Sequence, residues 1–316
     1  MHNMRWKSFI MLTAAAVIWG FAFVAQRVGN QYIGTFTYTG VRFALGALSI
    51  IPLIVQANRK EKKAGGKDEL AGKIALLKAG TLAGMVLFIA ASMQQTGLKY
   101  TTAGKAAFIT GFYIILVPVL EVIKKRYIDR KVWIAAALSI IGLYLISVQE
   151  GLTVSKGDLL VFICSFFFAF HIVLINNFTQ KVNAIKLAFV QYLVCSVLSL
   201  VTALLMEEIY LENIIKAAVP IIYGGVFSVG IAYTLQVIGQ KHSRASHAAI
   251  IMSSESVFAL IGGMLFLNET INLREIVGCT LMISGVILSQ LQGKNIKTAD
   301  TEDTADINHG RLYITK

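Results

Sequence analysis

Apolar stretches of about 20 residues recur along nearly the whole chain, and this feature constrains its fold most. A helix of about 20 residues crosses roughly 30 Å of hydrocarbon at about 1.5 Å per residue. Backbone polar groups must be bonded internally within a bilayer, and the stretches lack the strict alternation that a membrane-spanning strand requires. The chain is therefore predicted to be an all-α integral membrane protein with ten transmembrane helices, at 8–27, 34–55, 73–95, 101–123, 132–148, 157–177, 185–206, 216–238, 245–268 and 272–291.

The composition also indicates a membrane protein, because 56% of the 316 residues are hydrophobic and only 15% are charged. The first apolar stretch follows Arg5 and Lys7 as a secretory signal would. It is long, however, and has no evident small-residue cleavage site, so we expect a retained helix. Cys164, Cys195 and Cys279 lie in apolar spans without CxxC spacing, so we expect packing roles, and neither a metal site nor a cofactor is predicted.

The net charge of +12 is spread over several connections and is not gathered into a domain with interleaved aromatic residues. A nucleic-acid partner is therefore not predicted. Basic residues crowd the N-terminus and the second and fourth connections, whereas the connection at 207–212 is acidic. The positive-inside rule then places both termini in the cytoplasm and the chain in the cytoplasmic membrane. The polar stretch 293–316 is predicted to be a disordered cytoplasmic tail.

The two halves of the chain resemble each other. Two ungapped matches carry this similarity, 16–21 with 165–170 and 94–109 with 236–251. The register changes between them because the connection after span two is longer than the one after span seven, and insertions belong in connections. The similarity predicts a duplicated bundle.

Each predicted repeat, 8–148 and 157–291, contains five spans. Because five is an odd number, the second repeat enters the membrane in the opposite sense, and the fold is predicted to be two inverted five-helix repeats. Inverted repeats supply two packings of similar energy, which is the physical basis of alternating access. This organisation favours a carrier over a pore.

Four segments carry a family resemblance: 14–20 in span one, Arg42-Phe43 in span two, 97–118, and 254–285. With these segments the chain resembles an EamA-type member of the drug/metabolite transporter superfamily, across both halves. The resemblance implies a ten-helix carrier of small organic metabolites, commonly an exporter, with its substrate cavity between the halves. The family pattern often has a proline in the middle of span nine, where this chain has Glu255-Ser256-Val257, a departure that changes the chemistry of the cavity.

Glu255 is the most informative ionisable residue within a predicted span. It lies roughly ten residues in from Ala245, near the bilayer midplane, beside Ser253, Ser254 and Ser256. A charge at that depth costs about 2.5–3.5 kcal/mol on insertion scales, so the group should face a cavity or a partner. We expect Glu255 either to bind a proton or cation in a central cavity, or to be neutral and hydrogen-bonded to a neighbouring helix.

Arg42 lies about a third of the way into span two and cannot shed its charge, so it requires a partner. Two roles fit: bidentate binding of an anionic substrate group, or a structural lock to carbonyl groups at helix ends. Its counterpart in the repeat is Gln191, which is uncharged. The two repeats therefore differ at this candidate substrate-binding position.

Three further positions are candidates for the substrate site. His171 in span six could titrate during transport or make an interhelical hydrogen bond. Trp19 and Tyr113, the latter the counterpart of Glu255, could line a cavity or pack against lipid and other helices. Trp19 is the stronger aromatic candidate because the adjacent Gly20 permits close approach of a second helix.

Other residues are candidates for gating or helix bending. Gln94 and Gln236 occupy matching positions at opposite membrane faces, where they would act as paired gates or as polar caps. Pro118 and Gly262-Gly263 are predicted to let spans four and nine bend, because both residue types weaken the helical hydrogen-bond ladder.

The sequence contains no glycine-rich phosphate loop, no HExxH and no pair of intramembrane aspartates. We therefore predict a non-enzymatic secondary transporter of small organic metabolites or drugs, acting as an exporter and driven by an ion gradient or solute exchange. Its expected partners are a small-molecule substrate, membrane lipid and a coupling proton or cation. A polytopic scaffold, or an intramembrane enzyme without a recognisable catalytic motif, is the alternative.

Overall fold

The computed structural model describes residues 2–63, 70–101, 103–124, 126–147, 155–267 and 271–291. No strand occurs among these residues, so the described part of the chain is all-helical, as predicted. The predicted tail at 293–316 lies outside the described residues. The helices are α1 (His2–Gly29), α2 (Thr35–Ser49), α3 (Ile51–Lys63), α4 (Leu70–Gly97), α5 (Ala103–Thr110), α6 (Tyr113–Ile123), α7 (Arg130–Ser147), α8 (Lys156–Phe178), α9 (Ala184–Met206), α10 (Leu211–Lys216), α11 (Ala218–Ile222), a π-helical segment (Tyr223–Tyr233), α12 (Thr234–Gln240), α13 (Ala245–Met252), α14 (Glu255–Leu267) and α15 (Leu273–Gln290).

Within the described ranges, eight helical stretches are long and apolar enough to cross a membrane. A ninth is obtained if α2 and α3, which meet at a bend of 42°, form one span. The remaining predicted span, 132–148, corresponds to α7, which is not in this set, so the count of ten stays a prediction. The chain is a multi-pass membrane protein. The eight stretches are Met4–Gly29, Leu70–Gly97, Lys105–Ile123, Lys156–Phe178, Ala184–Met206, Ala218–Gln240, Ala245–Gly262 and Leu273–Gln290.

Several spans predicted as continuous helices are interrupted. Span two breaks at Ile50, and Pro52 occupies the first turn of α3, where its missing N–H costs no helical hydrogen bond. Span four breaks at Gly111-Phe112, whereas Pro118 lies inside α6 without ending it. The predicted bend at Pro118 is therefore not where the span is interrupted.

Span nine breaks at Ser253-Ser254, between α13 and α14. The hydroxyl groups of Ser253 and Ser254 donate to the carbonyl oxygens of Ile250 (2.8 Å) and Ile251 (2.7 Å), and such local bonds compete with the helical ladder. Gly262-Gly263 lies within α14, which continues from Glu255 to Leu267. The interruption therefore falls on the serines rather than on the glycines.

Close contacts between helices hold the bundle around its centre. At Gly20 of α1, a Cβ atom would lie 2.6 Å from Phe258 Cβ and 2.7 Å from the carbonyl oxygen of Glu255. Only a residue without a side chain fits there, so α14 lies directly against α1. At Gly142 of α7, a Cβ would lie 2.5 Å from the carbonyl oxygen of Gly278 in α15. These two glycines allow two helix pairs to touch through their backbones.

The bundle has two ends, which we name by their contents. The N-terminal end holds Arg5, Asn177 and Arg244, which line one cavity. The opposite end holds the start of α8, where Asp158 accepts hydrogen bonds from Thr101 (2.5 Å) and Lys105 (2.9 Å). The helices α1 and α8 therefore run in opposite directions between these ends.

Candidate functional site

A small buried cavity of about 50 Å³ lies at the centre of the bundle. We name it the central cavity. Its wall is built by residues from the first half of the chain and from the second half. The candidate residues that line it are Trp19, Arg42, Gln94, Tyr113, Gln236 and Glu255, and Gln26, Thr110, Ser228 and Tyr233 also contribute.

Glu255 and Tyr113 contact each other in the wall of the central cavity. The Tyr113 hydroxyl donates a hydrogen bond of 3.1 Å to Glu255 Oε1. Each is the first residue of the helix that follows a break, α6 for Tyr113 and α14 for Glu255. Glu255 is 6% exposed and makes no salt bridge to any cation in the described part of the chain. The carboxyl group therefore has one hydroxyl partner and faces an internal cavity.

Arg42 presents a second charge to the same cavity. It is 3% exposed, and its guanidinium carbon lies 5.3 Å from the ring centroids of both Tyr38 and Phe43, within the range of cation–π contacts. Its Nε atom has no hydrogen-bond partner among the described residues. Among the described residues, no carbonyl group accepts a hydrogen bond from its guanidinium, which aromatic rings flank, and both roles considered for Arg42 stay predictions. Arg42 retains hydrogen-bonding capacity for another group.

His171 and Gln191 do not line the central cavity, although they lie close to it. His171 Nε2 and Gln191 Oε1 are 2.9 Å apart and join α8 to α9, and both residues are fully buried. The His171 ring also meets the ring of Tyr233 edge-on at 6.4 Å. The geometry is that of the interhelical hydrogen bond, one of the two roles considered for this histidine.

Trp19 connects the cavity wall to the π-helical segment. Its indole Nε1 donates to the carbonyl oxygen of Ser228 (3.3 Å), and its ring meets that of Tyr233 edge-on at 4.7 Å. The π-helical segment thus supplies both a backbone acceptor and an aromatic side chain to the site. Such segments are rare and are frequently found at functional sites. This π-helical segment was not predicted from the sequence, in which a glycine-rich stretch at 223–230 is the feature that marks it.

Gln94 and Gln236 both line the central cavity. Gln94 Nε2 donates to Thr110 Oγ1 (3.1 Å), whereas Gln236 Oε1 has no partner in the described part of the chain. Neither side chain bonds to the backbone of a helix end among the described residues, and the roles of gate and cap stay predictions. Further cross-helix hydrogen bonds are made by neighbouring amide side chains that were not predicted from the sequence.

One set of these bonds joins α1 to α4 near the opposite end, and we name it the α1–α4 clasp. Gln95 Nε2 donates to Asn30 Oδ1 (2.8 Å) and to the carbonyl oxygen of Gln26 (3.1 Å). Asn30 Nδ2 donates back to the carbonyl oxygen of Gln95 (3.1 Å). The side chains of Gln95 and Asn30 and the backbone of Gln26 therefore join the ends of α1 and α4 between the central cavity and that end.

The other set joins α8 to α12 near the N-terminal end, and we name it the α8–α12 clasp. Asn176 Nδ2 donates to the carbonyl oxygens of Gln240 (3.0 Å) and Ser243 (2.7 Å). Gln240 Nε2 donates to the carbonyl oxygen of Ile172 (3.1 Å). The signal that could have revealed both clasps is the presence of amide residues in the last turns of apolar spans.

These features define a multi-pass helical membrane protein with a central cavity lined by polar, charged and aromatic side chains, and with interhelical hydrogen bonds towards each end of the bundle. Within the described residues, no group of three or more His, Cys, Asp or Glu side chains could hold a metal ion. The model of the EamA-like transporter family matches residues 6–148 and again residues 155–291. The chain belongs to this family.

Relatives agree with this assignment, and a solved structure shares the fold. An uncharacterized transporter of Archaeoglobus fulgidus is 27% identical over 282 residues, which cover 89% of this chain and 85% of the relative. The uncharacterized transporter YoaV of Bacillus subtilis is 23% identical, with coverage of 90% and 96%. A crystal structure at 14% identity superposes with a TM-score of 0.72, covering 90% of this chain and 96% of its own, and supports the fold alone.

Proposed function

We propose that this chain is a secondary active transporter that exports small organic metabolites or drugs across the cytoplasmic membrane by alternating access. The observation that carries the proposal is the central cavity, because both halves line it and because it holds two ionisable side chains, Arg42 and Glu255, that make no salt bridge within the described residues. A buried charge without a partner is costly, and in membrane proteins such groups mark substrate or ion pathways.

Paired helix breaks support two inverted five-helix repeats, 8–148 and 157–291, in a ten-helix fold. A shift of 142 positions relates α5 (Ala103–Thr110) to α13 (Ala245–Met252) and the start of α6 to the start of α14. Lys105 in α5 bonds to Asp158 at the opposite end, whereas Arg244 before α13 lies at the N-terminal end. Corresponding helices therefore begin at opposite ends of the bundle.

The size of the central cavity supports a conformational cycle. A volume of about 50 Å³ compares with about 30 Å³ for one water molecule in the liquid and with roughly 300–1,000 Å³ for ligand pockets. A metabolite can enter only if one end of the bundle opens. The clasps lie at the ends of α1 and α4 and of the corresponding helices α8 and α12. We infer that one clasp opens while the other stays closed.

We assign Arg42 to an anionic group of the substrate and Glu255 to a coupling proton or a cationic group. The cation–π contacts leave the Arg42 Nε–H free to donate, which suits a carboxylate or similar acceptor. Glu255 has a single hydroxyl partner, Tyr113, and can be neutralised by a proton or by a cation. Either an ion gradient or solute exchange would then drive the cycle. The basic N-terminal end would face the cytoplasm, with both chain termini.

The test is transport by the full chain in proteoliposomes, with a solute selected by an export and toxicity-resistance screen in a transporter-deficient strain. Saturable counterflow is expected. Glu255→Gln should retain exchange but lose the pH dependence of gradient-driven transport, whereas Arg42→Gln should reduce both. Lys60→Gln, an exposed substitution outside the cavity, is the control.

Two results would contradict parts of this proposal. Ion conductance without saturable exchange would indicate a channel. An unchanged pH profile in a folded Glu255→Gln protein would remove Glu255 from coupling.

A further inference from the structure

A second and larger cavity, of about 790 Å³, opens at the N-terminal end of the bundle. We name it the vestibule. Five cationic side chains from separate parts of the chain line it, and no aspartate or glutamate does so among the described residues. These cations are Arg5, Arg126, Lys181, Lys241 and Arg244.

Few of these charges are neutralised within the described residues. Arg126 has a carboxylate within 4 Å, because its Nη1 lies 3.5 Å from Glu121 Oε1. The other oxygen of that carboxylate accepts from the backbone N–H and the hydroxyl group of Ser246. Within the described ranges, the Arg244 side chain makes one long hydrogen bond of 3.5 Å, to the carbonyl oxygen of Tyr127. Arg126 is therefore the one cation of the five with a salt bridge to a carboxylate within the described residues.

Arg5, Lys181 and Lys241 make no salt bridge to an acidic side chain in the described part of the chain. Burial and the Lys241 ammonium lower the pKa of His242, which also lines the vestibule, below its usual value. His242 therefore adds little positive charge near neutral pH. The positive charge of the vestibule therefore lies on its lysine and arginine side chains.

The positive-inside rule explains why cations lie at this end of the bundle. It does not explain why five of them line the same cavity. Arg59 and Lys60 in α3 lie at the same end, because neighbouring Glu61 bonds to Lys186 (2.5 Å) at the start of α9, and both are exposed outside the vestibule. Like charges that converge repel each other unless a counter-ion is bound. The vestibule volume also falls within the range of ligand pockets.

We propose that the vestibule binds a phosphate-bearing anion. A phosphate group has oxygen atoms directed to several sides and can accept charge-assisted hydrogen bonds from lysine and arginine side chains that approach from different helices. Two sources share this chemistry, the headgroup of an anionic phospholipid and a soluble phosphate. Basic pockets between helices at the cytoplasmic side of membranes suit lipid headgroups.

The site is separate from the central cavity, although the two are adjacent. Ile251 lines the vestibule and Met252, the next residue, lines the central cavity. The α8–α12 clasp lies between them, because Asn176 lines the vestibule and donates to the carbonyl oxygen of Gln240. Anion binding in the vestibule therefore does not require Arg42.

The experiment uses the purified full chain in a neutral detergent, with two probes. Inorganic phosphate is titrated against sodium chloride at equal ionic strength, and binding is followed by calorimetry. Phosphatidylglycerol is compared with phosphatidylcholine in mixed micelles, and bound lipid is counted by native mass spectrometry. The double variant Lys181→Gln/Lys241→Gln removes two exposed charges of the vestibule. The control Arg59→Gln/Lys60→Gln removes the same charge at the same end.

Binding of at least one probe to the unmodified chain is expected. The vestibule variant should weaken it by about 25-fold, since one cation near an anionic group contributes about 1 kcal/mol, or roughly fivefold. The control should change it by less than about twofold. The probe that binds identifies the source of the phosphate. Failure of both probes to bind, or equal weakening in the two variants, would overturn the proposal, whatever the outcome of the transport assays.

Discussion

The two clasps make a quantitative prediction about the conformational equilibrium. Gln95→Leu removes two side-chain hydrogen bonds from the α1–α4 clasp, and Asn176→Leu removes two from the α8–α12 clasp. An interhelical hydrogen bond in a membrane protein contributes about 0.6 kcal/mol on average, so each variant should lose about 1.2 kcal/mol at one end. This free energy corresponds to a roughly eightfold shift in the equilibrium between closed and open forms of that end.

The shift can be measured by pulsed electron spin resonance, as distances between pairs of spin labels. One pair, at Gln31 and Lys99, reports on the opposite end, and a second, at Lys181 and Lys241, reports on the N-terminal end; all four side chains are exposed. The three native cysteines are replaced by alanine. If the open form begins at about 5% of the population, an eightfold shift raises it to about 30%, which is resolvable as a second distance.

The two variants should act at different ends. Gln95→Leu should add the longer label-to-label distance of the open form only for the pair at Gln31 and Lys99. Asn176→Leu should add it only for the pair at Lys181 and Lys241. Thr280→Val is the matched control, because it removes a hydrogen bond within α15 and none between helices. Identical changes at both ends in each folded variant would refute the assignment of the clasps to separate gates.

Two further predictions concern stability, measured as the free energy of unfolding in mixed micelles. Gly142→Ala should cost about 1–3 kcal/mol, because the new Cβ would lie 2.5 Å from the backbone oxygen of Gly278. The control Gly72→Ala should cost nothing, because nothing lies within 4 Å of its new Cβ. Equal costs for the two variants would refute the close contact between α7 and α15. Glu207→Gln should cost about 1 kcal/mol, because the carboxylate accepts hydrogen bonds from two backbone N–H groups at the start of α2. The control Glu208→Gln changes an exposed neighbour and should leave the stability unchanged. A Glu207→Gln protein as stable as the unmodified chain would contradict the capping role.

Much of the helical framework could be predicted from the sequence, because apolar length is a direct physical requirement of the bilayer. The helix interruptions could not be predicted, because an apolar stretch looks the same whether its helix is continuous or broken. Pro52 stands three residues after the end of α2, and Ser253 and Ser254 separate α13 from α14 inside one apolar stretch. Their effects depend on local hydrogen bonds within the folded chain.

Part of the candidate site was also accessible to sequence reasoning. Arg42 and Glu255 are costly within hydrocarbon, and this cost predicts an interior position, which both occupy. His171 and Gln191 bond to each other and do not line the cavity. Which way such a side chain points depends on the rotation of its helix, which the sequence does not give. Gln95 was missed beside Gln94 for the same reason, since neighbouring residues on a helix point about 100° apart. The transport roles of all these residues stay predictions.

The π-helical segment Tyr223–Tyr233 has a mechanical consequence. A π turn closes over five residues instead of four, so the segment stores additional chain length inside a span. If the extra residue of the π turn moved along the helix, the side chains that it passed would rotate by about 100° and shift by about 1.5 Å along the helix axis. Tyr233 and Gln236 could in this way leave the cavity wall while the two ends of the span keep their depth in the membrane. A carrier with such a segment can reshape its interior without sliding a whole helix through the bilayer.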